Sequence, residues 1–208
     1  MGASIGAAVS GADLGETSLA TSIGSLIGMW LVYVVVIATT VRNRGGSLKA
    51  DTGLRVRPID ALLGVVGGLV SSIVVVRLVY VVLQLVSIVD RSDLDRLDDP
   101  AKELSDVANG WGFLVLAVFV GIGAPVVEEL FFRGFLQPAA IAKLGVPGGI
   151  LFTSVVFGAV HFQLLQFPAL AVFGVILGWL AHRYRRLGPA IFTHVVFNGL
   201  TLIALAAS

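Results

Sequence analysis

Six polar side chains that could carry out hydrolytic chemistry lie within otherwise apolar stretches of this sequence. They are Glu128, Glu129, Arg133, His161, His194 and Asn198. A carboxylate can take a proton from water, imidazoles can bind a metal or polarise a carbonyl, and an amide can donate to an oxyanion. Ionisable groups at the centre of a membrane helix cost about 2.5–3.5 kcal/mol each, which marks them as functional candidates. The set therefore predicts a hydrolytic site that uses an activated water molecule.

Helical spacing separates the two glutamates. Glu129 and Arg133 are four residues apart on one helix face, so they are predicted to form an ion pair. Glu128 is rotated by about 100° from Glu129, which leaves it free to face another partner. His194 and Asn198 also share a face. Each group alone has a structural interpretation, as an ion pair, a core histidine or a hydrogen bond between helices, and only their combination favours a site.

The composition indicates a membrane protein. Hydrophobic residues make up 57% of the 208 residues and charged residues 13%, against about 45–50% and about 25% in soluble domains. Cysteine is absent, which excludes disulfides and thiolate catalysis. The formal net charge of +1 gives no indication of nucleic-acid binding. We expect an all-α, polytopic transmembrane helical bundle in the lipid bilayer.

About six spans of roughly 20 residues are predicted. They cover residues 19–41, 61–89, 111–136, 148–164, 167–182 and 189–206. Residues 1–18 are predicted to form a mobile tail, residues 19–109 two N-terminal spans, and residues 110–208 a catalytic core of four spans. The fourth span is expected to start after residue 148, because Pro147-Gly148-Gly149 is poor helix material.

The charged loops predict the orientation. Loop 42–60 carries five bases and two acids, whereas loop 90–109 carries seven acids and three bases. With six spans, ten of the fourteen basic residues lie on one side of the membrane. The positive-inside rule makes that side cytoplasmic. We therefore expect a multi-pass cell-membrane protein with both termini outside and the site toward the cytoplasm.

Three glycine pairs at Gly-x-x-x-Gly spacing lie within the predicted spans. They begin at Gly24, Gly64 and Gly174. This spacing allows two helix backbones to approach closely, and we expect all three pairs to pack inside the bundle.

The candidate site residues form three motifs that resemble those of a known family. Glu-Glu-x-x-x-Arg at 128–133, Phe-x-x-x-His at 157–161 and His-x-x-x-Asn at 194–198 occur in separate hydrophobic segments. In this order they resemble the CPBP family, the CAAX protease and bacteriocin-processing intramembrane proteases, which include the type II CAAX prenyl endopeptidases. The resemblance covers about residues 111–205, nearly half of the chain.

The resemblance implies a helical endopeptidase (a peptide hydrolase) with its catalytic groups inside the membrane. Glu128 is implied to activate water, with His161, His194 and Asn198 as further site residues and Glu129 and Arg133 as their motif partners. The family is usually called metalloprotease, which implies a divalent metal such as zinc on His161 and His194 together with Glu128. Activation of water by glutamate and histidine alone is the open alternative. The implied partner is a membrane-associated protein or peptide, with a lipidated substrate as one option.

Three other functions compete with proteolysis. A non-enzymatic protein of the same fold could act in bacteriocin self-immunity or as a scaffold, although a scaffold does not need this set of buried polar groups. A haem-binding electron carrier could use His161 and His194 as axial ligands for at most one haem. A transporter could use the acids and histidines as a proton relay, but no clear internal repeat relates the two halves of the chain.

Overall fold

The computed structural model describes residues 19–97, 99, 102–103 and 110–207. The predicted mobile tail at residues 1–18 lies outside these ranges. The helices, in chain order, are α1 (Leu19–Asn43), α2 (Leu48–Thr52), α3 (Pro58–Val70), α4 (Val76–Leu85), α5 (Arg91–Asp95), α6 (Trp111–Val118), α7 (Ala124–Glu129), α8 (Gln137–Ala159), α9 (Phe167–Tyr184) and α10 (Gly188–Ala206). No β-strand occurs within the described ranges, so the all-α fold class is confirmed.

Within the described residues, five long helical stretches are apolar enough to cross a bilayer. They are Ile23–Asn43, Pro58–Leu85, Trp111–Ala159, Phe167–Tyr184 and Gly188–Ala206. Large apolar side chains on them point outward, for example Leu31 and Leu62, which are 58% and 60% exposed. Exposure of such side chains to lipid is favourable, whereas their exposure to water carries an unfavourable free energy. The protein is therefore a multi-pass membrane protein.

The described part of the chain has five long helical stretches where six spans were predicted, because predicted spans three and four belong to one stretch. That stretch, Trp111–Ala159, has 49 residues, or about 74 Å if straight, far more than one bilayer crossing. It breaks at Gly145, which has φ 73° and ψ 172°. Gly149 then packs directly against the backbone of Ile141. Because residues eight apart in a straight helix are separated by about 12 Å, the chain folds back on itself at Gly145.

The returning segment, residues 146–159, differs from the predicted fourth span in both of its bounds. It starts at once after Gly145 rather than after residue 148, because Pro147 lies in the first turn, where its missing N–H leaves no carbonyl unpaired. It ends at Ala159, so His161 lies in the following turn and not in a span. Fourteen residues of helix are about 21 Å long, less than the roughly 30 Å of a hydrocarbon core.

Helix α3 packs closely on α10 through a glycine face. Methyl groups added at Gly64 and Gly68 would collide with Phe192 and Val196. The pair beginning at Gly174 likewise packs against a neighbouring helix, where Gly174 meets Ser154. These two predicted close approaches are confirmed. Methyl groups added to the pair that begins at Gly24 meet no atom of the described residues within 4 Å, so the predicted packing of this pair inside the bundle is not seen there.

The α1–α3 connection is fastened to the start of α10 by one ion pair and two backbone hydrogen bonds. Arg186 Nη2 lies 2.5 Å from Asp60 Oδ1, and its Nε also donates to both carboxylate oxygens of the fully buried Asp60. These hydrogen bonds raise the pKa of Arg186, so the guanidinium stays charged. The N–H groups of Leu187 and Gly188 donate to the carbonyls of Gly53 and Arg55, at 3.0 and 3.1 Å. The first turn of α10 is therefore anchored to the N-terminal spans.

Candidate active site

Two π-helical segments flank α7, the short helix that carries both glutamates. Phe119–Gly123 precedes it and Leu130–Leu136 follows it. Pro125 lies at the start of α7, where a proline removes one helical hydrogen bond. Isolated π turns are rare and occur often at functional sites. The structure thus places π-helix on both sides of Pro125.

Glu129 accepts hydrogen bonds from two different helices. Arg133 Nη1 donates to its Oε1 at 2.9 Å, which confirms the predicted ion pair. His194 Nδ1 lies 3.0 Å from the same oxygen. A carboxylate paired with a guanidinium can only accept, so Nδ1 of His194 carries the hydrogen. Glu129 therefore determines the orientation of the imidazole.

Arg133 is itself held by two further contacts. Its Nη2 donates to the carbonyl oxygen of Gly174 at 3.2 Å. Its guanidinium carbon lies 4.3 Å from the ring centre of Phe157, within the range of a cation–π contact. Arg133 is 3% exposed and Glu129 is fully buried. The pair is thus shielded from solvent. Removal of one partner of such a buried ion pair destabilises a protein by about 3–5 kcal/mol.

Glu128 faces the opposite edge of the same imidazole. Its Oε2 lies 3.9 Å from Nε2 of His194. That oxygen is buried and has no hydrogen-bond partner among the described residues, and the same is true of Oε2 of Glu129. The two carboxylates differ in their other contacts: Oε1 of Glu129 is bonded to Arg133 and His194, whereas Glu128 makes no ion pair with Arg133 within the described part of the chain. A water molecule at hydrogen-bond distance could contact both Glu128 Oε2 and His194 Nε2, since these two atoms are less than two hydrogen-bond lengths apart.

His161 lies near the site but is not joined to either glutamate. Its Nδ1 is 2.7 Å from the carbonyl oxygen of Phe157, so Nδ1 carries the hydrogen and Nε2 is free. Phe157 stands between the two histidines, with ring centres 4.8 Å from His161 and 5.7 Å from His194. Within the described part of the chain, no hydrogen bond or ion pair links His161 to Glu128 or Glu129.

Asn198 lies one turn beyond His194 on α10 and bonds to a backbone carbonyl. Its Nδ2 donates to the oxygen of Val120 at 2.8 Å. Val120 belongs to the π-helical segment Phe119–Gly123, where the helical hydrogen-bond pattern shifts and a carbonyl can take another partner. In this structure the amide of Asn198 joins α10 to the helix that carries the glutamates.

Two residues that support the site were not singled out by the sequence reasoning. Phe157 contacts Arg133, His161 and His194, and Gly174 provides the carbonyl that accepts from Arg133. Phe157 had a sequence signal, because it is the first residue of the Phe-x-x-x-His motif. Gly174 had none beyond its Gly-x-x-x-Gly spacing, because a backbone acceptor does not depend on the side chain.

The histidine tautomers suit metal ligation, but the donors are not assembled for it. In both histidines Nδ1 donates to a carboxylate or carbonyl and Nε2 is free, as is usual for metal-bound imidazoles. A catalytic zinc site uses three protein ligands. Across residues 19–97 and 110–207, no three His, Cys, Asp or Glu side chains converge closely enough to hold an ion. As arranged here, His161, His194 and Glu128 do not form a metal site.

Comparisons with known proteins point to one family. Residues 110–200 match the family model described as type II CAAX prenyl endopeptidase Rce1-like. The chain is also 28% identical over 89 residues to the Bacillus subtilis (strain 168) protein named "Putative membrane peptidase YdiL". That match covers 43% of this chain and 36% of the relative, so the chain spans about a third of that protein. No solved structure matches the chain significantly.

The matched residues contain all three motifs of the candidate site, and the resemblance to the CAAX proteases is confirmed. Of these motif residues, Arg133 and His194 are both bonded to Glu129, whereas His161 lies in the turn after α8. Residues 110–200 are therefore similar to the type II CAAX prenyl endopeptidase Rce1-like family.

Proposed function

We propose that this protein is an intramembrane endopeptidase in which Glu128 activates a water molecule for attack on a peptide bond. The family match and the relative's name support a membrane peptidase. The observation that carries the mechanism is the position of His194 between two carboxylates, Glu129 at 3.0 Å from Nδ1 and Glu128 at 3.9 Å from Nε2. Glu129 is already bonded to Arg133, whereas Glu128 is the carboxylate on the Nε2 side of the imidazole.

In this proposal the site residues have separate roles in hydrolysis. Glu128 takes a proton from water, and the hydroxide oxygen bonds to the carbonyl carbon of the substrate. The C–N bond then breaks, and the proton passes from Glu128 to the leaving amine. His194 lies where its Nε2 can hold the attacking water or, when protonated, donate to the carbonyl oxygen. Glu129 and Arg133 act as positioning residues, because Glu129 holds the imidazole and Arg133 holds Glu129.

The resemblance implies a divalent metal, but no step above uses one, because His161 is not brought together with His194 and Glu128. We further propose that the site opens toward the cytoplasm, because the first turn of α10, six residues before His194, is bonded to the basic loop 42–60. The positive-inside rule assigns that loop to the cytoplasm. The substrate is then a membrane-associated protein or peptide cleaved near the cytoplasmic surface.

The test compares new protein N-termini in membranes from cells that express the wild type or Glu128→Gln. Glutamine keeps the shape of the side chain but cannot accept the proton. We expect N-termini that appear with the wild type and are absent with Glu128→Gln at equal protein levels. Glu103→Gln is the matched control, because Glu103 is exposed and far along the chain from the site.

Identical N-terminal profiles for all three proteins would contradict the proposal. That result would favour the non-enzymatic alternative, a scaffold or bacteriocin self-immunity protein of the same fold. A loss of cleavage in Glu103→Gln as well would show that the assay reports expression rather than chemistry.

A further inference from the structure

A basic cavity lies in the loop that joins the first two spanning helices. It has a volume of about 460 Å³ and is lined by Lys49, Leu54, Arg55, Val56 and Arg57. Three of these five residues carry a positive charge, and their side chains are exposed. The other two present apolar surface beside the charges. The cavity thus combines a cationic wall with an apolar one.

The three cations have no acidic partner. Among the described residues, none of Lys49, Arg55 and Arg57 forms an ion pair within 4.0 Å. The loop contains two acids. Asp60 is occupied by Arg186, and Asp51 packs against Gly46. Within the described part of the chain, no carboxylate forms an ion pair with these three cations.

The backbone around the cavity is held in place. Ser47 caps α2 through a hydrogen bond to the N–H of Ala50, and Thr52 Oγ1 donates to the carbonyl of Leu48 at 2.6 Å. The carbonyls of Gly53 and Arg55 accept from the N–H groups at the start of α10. A ligand at this cavity would meet an ordered frame, so little conformational entropy is lost on binding.

We propose that this cavity binds the phosphate of an anionic phospholipid headgroup. The loop connects α1 and α3, whose neighbouring residues belong to membrane-spanning helices, so the cavity lies at the boundary where headgroups are found. Basic residues attract anionic lipids at such positions. Leu54 and Val56 give the glycerol and upper acyl region of a lipid an apolar surface that a free phosphate ion would not use.

The test measures lipid retention by native mass spectrometry of the full chain in detergent, with phosphatidylglycerol or phosphatidylcholine added. We expect the wild type to retain phosphatidylglycerol in preference to phosphatidylcholine. Each cation removed should weaken this binding about fivefold. The triple variant Lys49→Gln/Arg55→Gln/Arg57→Gln should therefore bind phosphatidylglycerol about a hundredfold less tightly.

The matched control removes three bases from the same predicted side without touching the cavity. Arg42→Gln/Arg44→Gln/Lys143→Gln has the same net charge as the cavity variant, and all three positions are exposed. It should retain phosphatidylglycerol like the wild type. If the cavity triple variant fails to fold, the single variant Arg57→Gln, with its expected fivefold loss, serves in its place.

Three results would overturn the proposal. The first is equal retention of both lipids by the wild type, and the second is equal loss in the cavity and control variants. The third is displacement of phosphatidylglycerol by millimolar inorganic phosphate, which would identify a free phosphate ion rather than a lipid as the ligand.

Discussion

Nδ1 of His194 lies 3.0 Å from Oε1 of Glu129, the same oxygen that accepts from Arg133. One buried carboxylate oxygen therefore ties together an imidazole on α10 and a guanidinium that follows α7. This contact places Nε2 of His194 toward Glu128 and assigns different tasks to two adjacent glutamates. Their predicted roles can be separated by experiment.

Glu129→Ala and Arg133→Ala should each lower stability as well as activity. Each substitution leaves one buried charge without its partner, which costs about 3–5 kcal/mol. The double variant should recover part of the lost stability, because neither charge is left alone. It should not recover activity, since His194 still lacks the acceptor of its Nδ1 hydrogen. Thermal melts and cleavage assays in detergent measure both quantities.

Glu128→Gln serves as the control for this set, because Glu128 makes no ion pair with Arg133. It should melt close to the wild type while turnover falls by a factor of about 10²–10⁴, the usual contribution of a general base. If Glu128→Gln were the unstable variant and Glu129→Ala melted like the wild type, the roles of the two glutamates would have to be exchanged.

Gly68→Leu should destabilise the protein by about 1–3 kcal/mol, the usual cost of overpacking. The new side chain would collide with Val196 and with the carbonyl of Thr193, which adjoins His194. Activity should fall by more than the loss of folded protein explains, because α10, which carries His194, must move away from α3. Gly28→Leu is the control, since an added methyl group there meets no atom within 4 Å. Equal melting temperatures of the two variants would show that the close approach of α3 to α10 carries no energy.

Removal of divalent metals should leave cleavage intact, because the structure brings only His194 and Glu128 together and does not add His161 to them. The assay compares purified protein before and after treatment with a metal chelator, with elemental analysis of both samples. Loss of activity that zinc restores would contradict this prediction. It would show that His161 moves to join the other two donors when a metal binds.

Reporter fusions at Ala50, Gly145 and Arg186 should be cytoplasmic, and fusions at Asp98 and Ser208 should lie outside. This prediction follows from the fold-back at Gly145. The first arm of the 49-residue stretch ends at Gly145 and the second arm begins there, and we expect this turn to lie on the same side as loop 42–60. Alkaline phosphatase and fluorescent protein fusions report the two sides. An external signal at Gly145 would remove the basis for a cytoplasm-facing site.

Local features of the site could be predicted from the sequence because their causes are local. The four-residue spacing of Glu129 and Arg133 puts them on one helix face, and the ion pair forms at 2.9 Å. The spans are apolar because lipid surrounds them, and this composition can be read directly from the sequence. The membrane helices could therefore be predicted with bounds a few residues from those observed. The rotation between adjacent helical residues likewise separates Glu128 from Glu129.

Relationships between distant segments could not be read from the same patterns. His194 and Asn198 share a helix face, yet they contact different parts of the glutamate helix, since Glu129 and Val120 lie nine residues apart along the chain. The π-helical segments have no periodic signature in an apolar stretch, so the shift that frees the Val120 carbonyl was not predicted. His161 leaves the predicted span because the fold-back at Gly145 starts the helix early and ends it at Ala159. Side-chain spacing describes one helix at a time. The position of His194 between two carboxylates depends instead on how the chain packs between Glu129 and His194, which are 65 positions apart.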